Sequence, residues 1–316
     1  MFKKLLLLVV FILFALPQTF AADLLDFVPN EAGLVIRANI QQIVSIPEVK
    51  AKIDEAIGKN ENEYIKQVKE TGFDPYKDIH SVVMFLPLEN MQKKDMANTH
   101  IALVAEGKFN VEKTIDAIKA NNGLTNKLIV AEEDGMKTIT FLNEKGNAKM
   151  VFFDESTVLV GTVIGVARAK AVRQGKAPSV KTNKDFATAI AKLNQNATLA
   201  ATVALPDDAR KYLEANENVK TLSTIQFLSL DLTKTTDVDI NIIGEFAPKT
   251  DMAAVTKLLT QFGDAAKTTK APYGVLVDFA KNYKVTSEGL TAKISSLVTK
   301  ASLEKLVETK GAPEQK

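Results

Sequence analysis

The order of apolar segments and turns repeats loosely between the two halves of the chain. Each half begins with a strand that leads into a helix opened by a proline, Pro47 in the first half and Pro206 in the second. Further strands, a helix, a hairpin and a closing helix follow in both halves. Hairpins favour antiparallel pairing and argue against an all-parallel doubly wound sheet. We therefore predict an α+β fold of two tandem related units, each a mainly antiparallel sheet with helices packed on one face.

The boundary between the two units is predicted from a polar, turn-rich segment. The 316-residue chain is long enough for two ordinary domains, because single hydrophobic cores stop growing at a few hundred residues at most. Between Gln174 and Asn183 the sequence contains Gly175 and Pro178 and few apolar residues. The predicted domains are residues 22–178 and 179–310, followed by a flexible tail over residues 311–316.

Periodicity predicts the individual elements. In the first unit strands are predicted at residues 33–40, 79–86, 100–106, 128–131, 137–142, 149–153 and 157–161, with helices after Pro47, after Asn110 and at 163–174. In the second unit helices are predicted at 184–193, 206–215, 250–262 and 303–308, and strands at 197–204, 224–232, 237–246, 273–281, 283–286 and 290–297.

The N-terminus has the three-part plan of a secretory signal peptide. Two lysines precede an apolar run at residues 5–16, and a proline follows. Thr19 and Ala21 are small residues at the positions that signal peptidase reads, so we predict cleavage between Ala21 and Ala22, which makes residues 1–21 the signal peptide. A permanent membrane anchor is the alternative, but the run is about a dozen residues long and a spanning helix needs about 20.

Removing residues 1–21 takes away two lysines and no acid, which leaves 38 basic and 38 acidic residues. Because this remaining chain is neutral and has no stripe of basic residues, nucleic acid is not expected as a partner. Because there is no cysteine, neither disulfides nor a lipoprotein anchor can form. No later stretch is apolar enough to span a bilayer, so no stable membrane insertion is expected after signal removal. The predicted location is the periplasm or the medium.

Three segments resemble a known group of proteins. They are the opening Phe27-Val28-Pro29-Asn30-Glu31-Ala32, the turn Gly72-Phe73-Asp74-Pro75 before a strand, and the strand end Gly107-Lys108-Phe109. Together with the tandem plan they resemble exported bacterial proteins with tandem α+β domains of unknown function. The resemblance implies a location and a fold, and it implies no reaction and no catalytic residues.

Residues suited to catalysis or metal binding are few. His80 and His100 each start a predicted strand, and a zinc site would need both of them plus a carboxylate. Ser302 and Lys305 match a Ser-x-x-Lys pair, but the companion motifs of penicillin-binding enzymes are missing, so we interpret Ser302 as part of a helix cap.

Glycines and acidic pairs also favour structural roles. Gly161 and Gly165 lack the third glycine of a phosphate-binding loop, which favours close packing or a turn. The acidic pairs at 132–134, 154–155 and 207–208 lack EF-hand spacing and are expected in turns or at helix N-termini. No cofactor and no metal is predicted.

Three hypotheses of function remain open. The first is an exported, non-catalytic binding protein for an envelope protein partner. The second is a carrier of an apolar or lipid ligand, suggested by Val82-Val83-Met84-Phe85-Leu86, which is apolar on both strand faces; a strand covered on both faces explains that run equally. The third is a carboxylate-dependent hydrolase. It stays open because the fold brings two catalytic carboxylates together, and no fixed spacing along the sequence marks them.

Overall fold

The computed structural model describes residues 23–47, 49–51, 74–87, 100–120, 127–142, 147–268 and 274–302. The chain divides into two compact units, Met1–Lys184 and Asp185–Lys316. The domain limits predicted at residues 178 and 310 stay predictions. The signal-peptide residues, the Gly72-Phe73 part of the predicted turn and the closing helix at 303–308 lie outside the described residues.

The first unit alternates short helices with antiparallel strands. Among the described residues its helices include α1 (Ile40–Val44), α2 (Pro75–Asp78), α3 (Val111–Ala120) and α4 (Val163–Arg173), with 3₁₀ turns at Leu24–Phe27 and Val180–Thr182. Residues 47 and 49–51 are helical too, and the remainder of the helix predicted after Pro47 lies outside the described residues. Its strands are β1 (Leu34–Asn39), β2 (Ile79–Leu86), β3 (Ala102–Gly107), β4 (Leu128–Glu133), β5 (Met136–Phe141), β6 (Ala148–Phe152) and β7 (Thr157–Thr162). These strands agree with the predicted ones to within a few residues at each end.

The strands of the first unit pair in the order β1-β2-β3-β7-β6-β5-β4, and every pair is antiparallel. The centre of this sheet is covered on both faces. Val82 and Val83 are neighbours in β2 and point to opposite faces, yet they are only 3% and 1% exposed. The apolar run of β2 is therefore core on both sides.

Close backbone packing explains the two glycines that flank the start of α4. A Cβ atom on Gly161 would lie 2.3 Å from the carbonyl oxygen of Ile101, and one on Gly165 would lie 2.2 Å from the same oxygen. The Thr162 side chain between them caps α4 by accepting a hydrogen bond from the Gly165 backbone N–H at 3.1 Å. The expectation of close packing is confirmed.

The second unit follows a similar path. Its helices are α5 (Lys184–Ala191), α6 (Asp207–Glu214), α7 (Met252–Thr268) and α8 (Gly274–Lys281), and a 3₁₀ turn spans Lys220–Thr224. Its strands are β8 (Leu199–Ala204), β9 (Ile225–Lys234), β10 (Val238–Phe246), β11 (Lys284–Glu288) and β12 (Thr291–Val298). They pair antiparallel in the order β8-β9-β10-β12-β11. This path matches β1-β2-β3-β7-β6; that the two units are related stays a prediction.

The strand predicted at residues 273–281 is wrong, because Gly274–Lys281 forms helix α8. A short segment with the apolar residues 275–277 is compatible with either structure, and tertiary contacts decide between them. Ser296 Oγ in β12 donates a hydrogen bond to the Phe279 carbonyl oxygen at 2.6 Å. Asn282 Nδ2 donates to the carbonyl oxygens of Asp278 and Leu297. These bonds hold the segment against β12 as a helix.

Candidate functional site

The residues predicted to direct signal cleavage, Thr19, Ala21 and Ala22, lie outside the described residues. The cleavage site therefore stays a prediction from the sequence.

The histidine in β2 has a carboxylate partner instead of a metal-binding cluster. His80 Nδ1 lies 3.5 Å from Glu106 Oε1, and Ser81 Oγ donates to the second oxygen, Glu106 Oε2, at 3.0 Å. Nucleophilic catalysis needs the base to contact the nucleophile, whereas here the carboxylate stands between the serine and the histidine. Within the described ranges, no group of three or more histidine, aspartate or glutamate side chains could hold a metal ion.

The Ser302 region has the contacts of a helix cap. The Ser302 backbone N–H donates to Thr299 Oγ1 at 3.4 Å and to the Thr299 carbonyl oxygen at 3.1 Å, so Thr299 supplies the capping side chain. Thr299 N–H donates to Asp278 Oδ2 at 3.2 Å. Hydrogen bonds from Ser302 and then Thr299 lower the pKa of the Asp278 carboxyl below its ordinary value. Lys305, the other half of the sequence motif, lies outside the described residues.

The acidic run at residues 132–134 is distributed over three separate ion pairs. Glu132 pairs with Lys137 at 3.2 Å, Glu133 with Lys149 at 2.6 Å, and Asp134 with Lys170 at 2.7 Å. The hydrogen bond and the charge of Lys170 lower the pKa of the Asp134 carboxyl. Each carboxylate is thus directed to its own lysine, and the three do not converge on one point.

The second unit's sheet has a polar face that is buried. Thr202 and Ser229, opposite each other in β8 and β9, are each 1% exposed, and their hydroxyl oxygens lie 3.0 Å apart. Asp231 is also 1% exposed and accepts a hydrogen bond from Asn241 Nδ2 at 2.8 Å. Ser295 Oγ in turn donates to Asn241 Oδ1 at 2.9 Å. A hydrogen-bonded row of polar side chains therefore crosses this face.

Helix α5 and the residues that follow it contact the polar face. The ring of Phe186 in α5 meets the ring of Phe227 in β9 edge to face, with centroids 5.4 Å apart. Lys192 Nζ, just after the helix, donates to Glu245 Oε2 in β10 at 2.6 Å. Asn194 N–H donates to Asp231 Oδ2 at 3.3 Å, which gives the buried carboxylate a second donor.

The opposite face of this sheet carries an apolar surface that retains contact with solvent. We call it the aliphatic strip; its members, from β8, β9, β10 and β12, are Leu199, Leu228, Leu230, Leu232, Ile240, Ile242 and Ile294. Cross-strand register places Leu199, Leu232 and Ile240 in one row. Leu230, Ile242 and Ile294 form the next row.

In strand β9, burial is the reverse of what side-chain polarity predicts. Leu228 is 37% exposed, whereas its sequence neighbour Ser229 is 1% exposed. The other six members of the strip are neither buried nor fully exposed. Helix α7 covers the end of this face near Phe246 and Ala292, which pack with the buried Val255. Helix α8 covers it at Ser296 of β12, which is 6% exposed and donates to the Phe279 carbonyl oxygen. The aliphatic strip is therefore a candidate binding surface.

A second feature of this unit is an open groove beside strand β11. Its lining comes from α7 and β11, its volume is about 600 Å³, and its residues are Met252, Ala253, Thr256, Lys257, Thr260, Gln261 and Ser287. Thr256 Oγ1 donates to Ser287 Oγ at 3.0 Å, which fixes the helix against the strand.

Comparison with known proteins gives little further information. No protein-family model matches the chain, and no curated protein sequence matches it. The solved structure of TP0453 in crystal form I is similar in fold over 92% of this chain and 99% of that chain, with a TM-score of 0.48 and 11% sequence identity. A likeness at this level carries no information on function. In the part of the chain that the structure describes, no helix combines the length and apolar character needed to cross a bilayer.

Neither the strip nor the groove was among the sites predicted from the sequence. The alternation of Leu228, Leu230 and Leu232 with polar residues is visible in the sequence, but alternation alone predicts that the leucines face the core. The carrier hypothesis rested instead on residues 82–86, which are largely buried.

Proposed function

We propose that the chain is an exported, non-catalytic binding protein and that the aliphatic strip binds an apolar ligand. The observation that carries the proposal is the reversed burial along β9, where Leu228 contacts solvent and its neighbour Ser229 is covered, together with the partly exposed leucine and isoleucine side chains beside it. Adjacent apolar side chains that keep contact with solvent offer a continuous surface to an apolar partner.

The chemistry of the strip favours an aliphatic ligand such as an acyl chain. All seven members are leucine or isoleucine, so the surface offers neither a charge nor a hydrogen-bond donor. Its partner has to contribute apolar surface, because polar groups buried there would lose their hydrogen bonds to water without replacement.

The dimensions of the strip set the expected affinity. The strip crosses four strands that lie about 4.8 Å apart, so it is about 14 Å wide. Along β9 it extends from Leu228 to Leu232, which is also about 14 Å, and its area is therefore about 200 Å². Burying it contributes about 5 kcal/mol at about 25 cal/mol per Å², and the ligand's own surface contributes a similar amount. Association costs at least about 4 kcal/mol, which leaves about 6 kcal/mol and a Kd of about tens of micromolar.

The test is a titration of the chain that starts at Ala22 with a fluorescent dodecanoic acid. The double variant Leu228→Ser/Leu230→Ser should weaken binding about tenfold, because two side chains of the strip lose most of their apolar surface. Leu290→Ser is the matched control: Leu290 lies in a turn of the same unit and is 38% exposed, against 37% for Leu228.

Two results would reject the proposal. One is saturable binding that the double variant leaves unchanged, which would locate the ligand elsewhere. The other is the absence of binding to the unmodified chain at millimolar probe, which would favour a protein partner, the first hypothesis drawn from the sequence.

A further inference from the structure

Strand β11 has backbone hydrogen-bonding groups that face away from its only partner in the described part of the chain. It ends the sheet and pairs with β12, with Glu288 opposite Thr291 across the two-residue turn Gly289-Leu290. Gly289 has a φ of +55°, as the first central residue of a type II′ hairpin turn requires. In such a hairpin the closing pair is hydrogen-bonded, and the pattern then alternates along the strand.

This alternation directs the N–H and C=O groups of Val285 and Ser287 outward. The groups of Glu288, Thr286 and Lys284 are turned towards β12. Within the described residues no backbone hydrogen bond to Val285 or Ser287 comes from outside the hairpin. An open edge of this kind can accept another strand.

The groove beside α7 lies along this open edge. Val285 and Ser287 alternate onto the same sheet face as Ile294 and Ala292, their partners in β12. Ser287 also accepts the hydrogen bond from Thr256 of α7 on that face. A strand added outside β11 would therefore direct every second side chain into the groove between the helix and the edge.

The lining of the groove is mainly apolar, with a few polar groups and one cation. Thr256, Thr260 and Gln261 supply hydroxyl and amide groups to its wall. Lys257 is the only charged residue of the lining; it is exposed and has no ion-pair partner among the described residues. A carboxylate on the incoming strand would complement that ammonium group.

We propose that the β11 edge and the groove beside α7 bind an extended peptide that carries an acidic side chain, by strand addition. A second copy of this chain fits the same site less well. Pairing two β11 edges about a two-fold axis normal to the sheet would bring both Lys257 ammonium groups to the same face, where like charges repel. The groove shares no lining residue with the aliphatic strip, and the proposal does not depend on the strip's ligand.

The probe is a phage-displayed library of random 12-residue peptides, selected on the immobilised chain that starts at Ala22. Enriched peptides should be rich in strand-forming residues and contain at least one aspartate or glutamate. The strongest peptide, synthesised with a fluorescent label, should then be titrated against the unmodified chain and three variants.

The decisive variant is Ser287→Pro, because proline removes the outward N–H and is tolerated at a strand edge. It should weaken binding by about tenfold or more. Ser287→Ala keeps the N–H and loses only the hydroxyl, so it should bind within about threefold of the unmodified chain. Lys257→Glu should reduce binding of the acidic peptide and favour basic peptides in a repeated selection.

A second measurement covers the case in which Ser287→Pro does not fold. Peptides methylated on one backbone nitrogen at a time should lose affinity at alternate positions only, since every second N–H of an added strand faces the edge. Equal binding by all methylated peptides, or equal binding to Ser287→Pro and Ser287→Ala, would overturn the proposal. A dimer that forms without peptide and is abolished by Ser287→Pro would assign the edge to a second copy and overturn it as well.

Discussion

Replacing Gly165 with alanine tests whether close backbone packing sets the position of helix α4. The new Cβ would lie 2.2 Å from the Ile101 carbonyl oxygen, whereas ordinary contacts begin at 3.4 Å, so the two segments must separate by about 1 Å. That oxygen also accepts the Thr162 backbone N–H at 3.0 Å. Separation would therefore strain this hydrogen bond and the packing of Val166 and Ala169, which are 1% and 0% exposed.

The sign of the effect depends on two opposing terms. Alanine in place of glycine inside a helix gains about 1 kcal/mol from propensity. Overpacking against a backbone costs about 1–3 kcal/mol, and the strained hydrogen bond adds about 1 kcal/mol. We expect a net loss of about 2 kcal/mol in the free energy of unfolding, which lowers Tm by about 4–8 °C for a unit of this size.

Urea denaturation followed by circular dichroism measures this loss. Ala167→Gly, at an exposed position of the same helix, provides the propensity term alone and should cost about 1 kcal/mol. A Gly165→Ala variant as stable as the unmodified chain, or more stable, would refute the reasoning, since the space at Gly165 would then be available without cost.

Three further predictions concern titration and processing. Burial raises the pKa of Tyr283, whose hydroxyl donates to the Leu259 carbonyl oxygen at 3.0 Å. Tyr283→Phe should lower the free energy of unfolding by about 1 kcal/mol below pH ~10. Urea titrations should show that the stability difference between the two proteins shrinks as pH rises further. Since hydrogen bonds lower the pKa of Asp278, its contribution to the free energy of unfolding is present above pH ~4 and is lost as pH falls through the pKa of the folded protein. Asp278→Asn should remove that part of the acid unfolding curve. An unchanged curve would contradict the assignment. Mass spectrometry of the exported chain should give an N-terminus at Ala22, and retention of residues 1–21 would contradict the predicted cleavage.

Most strands could be predicted because their alternation is bounded by clear turns. The hairpin of β6 and β7 is an example: Asp154 Oδ1 accepts the Ser156 backbone N–H at 2.7 Å, which is the Asx turn that the sequence indicates. Helix α8 could not be predicted in the same way. Asp278, Lys281 and Asn282 do have helical spacing, but the apolar residues 275–277 that precede them are equally compatible with a strand. Hydrogen bonds from β12 and Asn282 hold the segment as a helix.

The candidate site could not be predicted because polarity does not determine which face of a sheet is covered. In β9 the sequence Leu-Ser-Leu-Asp-Leu alternates regularly, and the transfer free energy of leucine predicts that the leucines are buried. The structure buries Ser229 and Asp231 instead, on the side of the sheet where Phe186 of α5 contacts Phe227. Long-range packing of this kind leaves no local pattern in a sequence.

Hydrogen bonds on the buried polar face define the strand register, so the side chains of the aliphatic strip do not have to. A one-residue slip in register moves every side chain of a strand to the other face, so a sheet needs some interaction that opposes slippage. Here the Thr202–Ser229 and Asp231–Asn241 pairs can form in only one register, and a slip would leave a buried carboxylate without its donors. The register of β9 is thus specified by hydrogen bonds on the covered face, and Leu228 and Leu230 need not be buried to define the fold. An apolar surface that is not required for folding can remain open to a ligand.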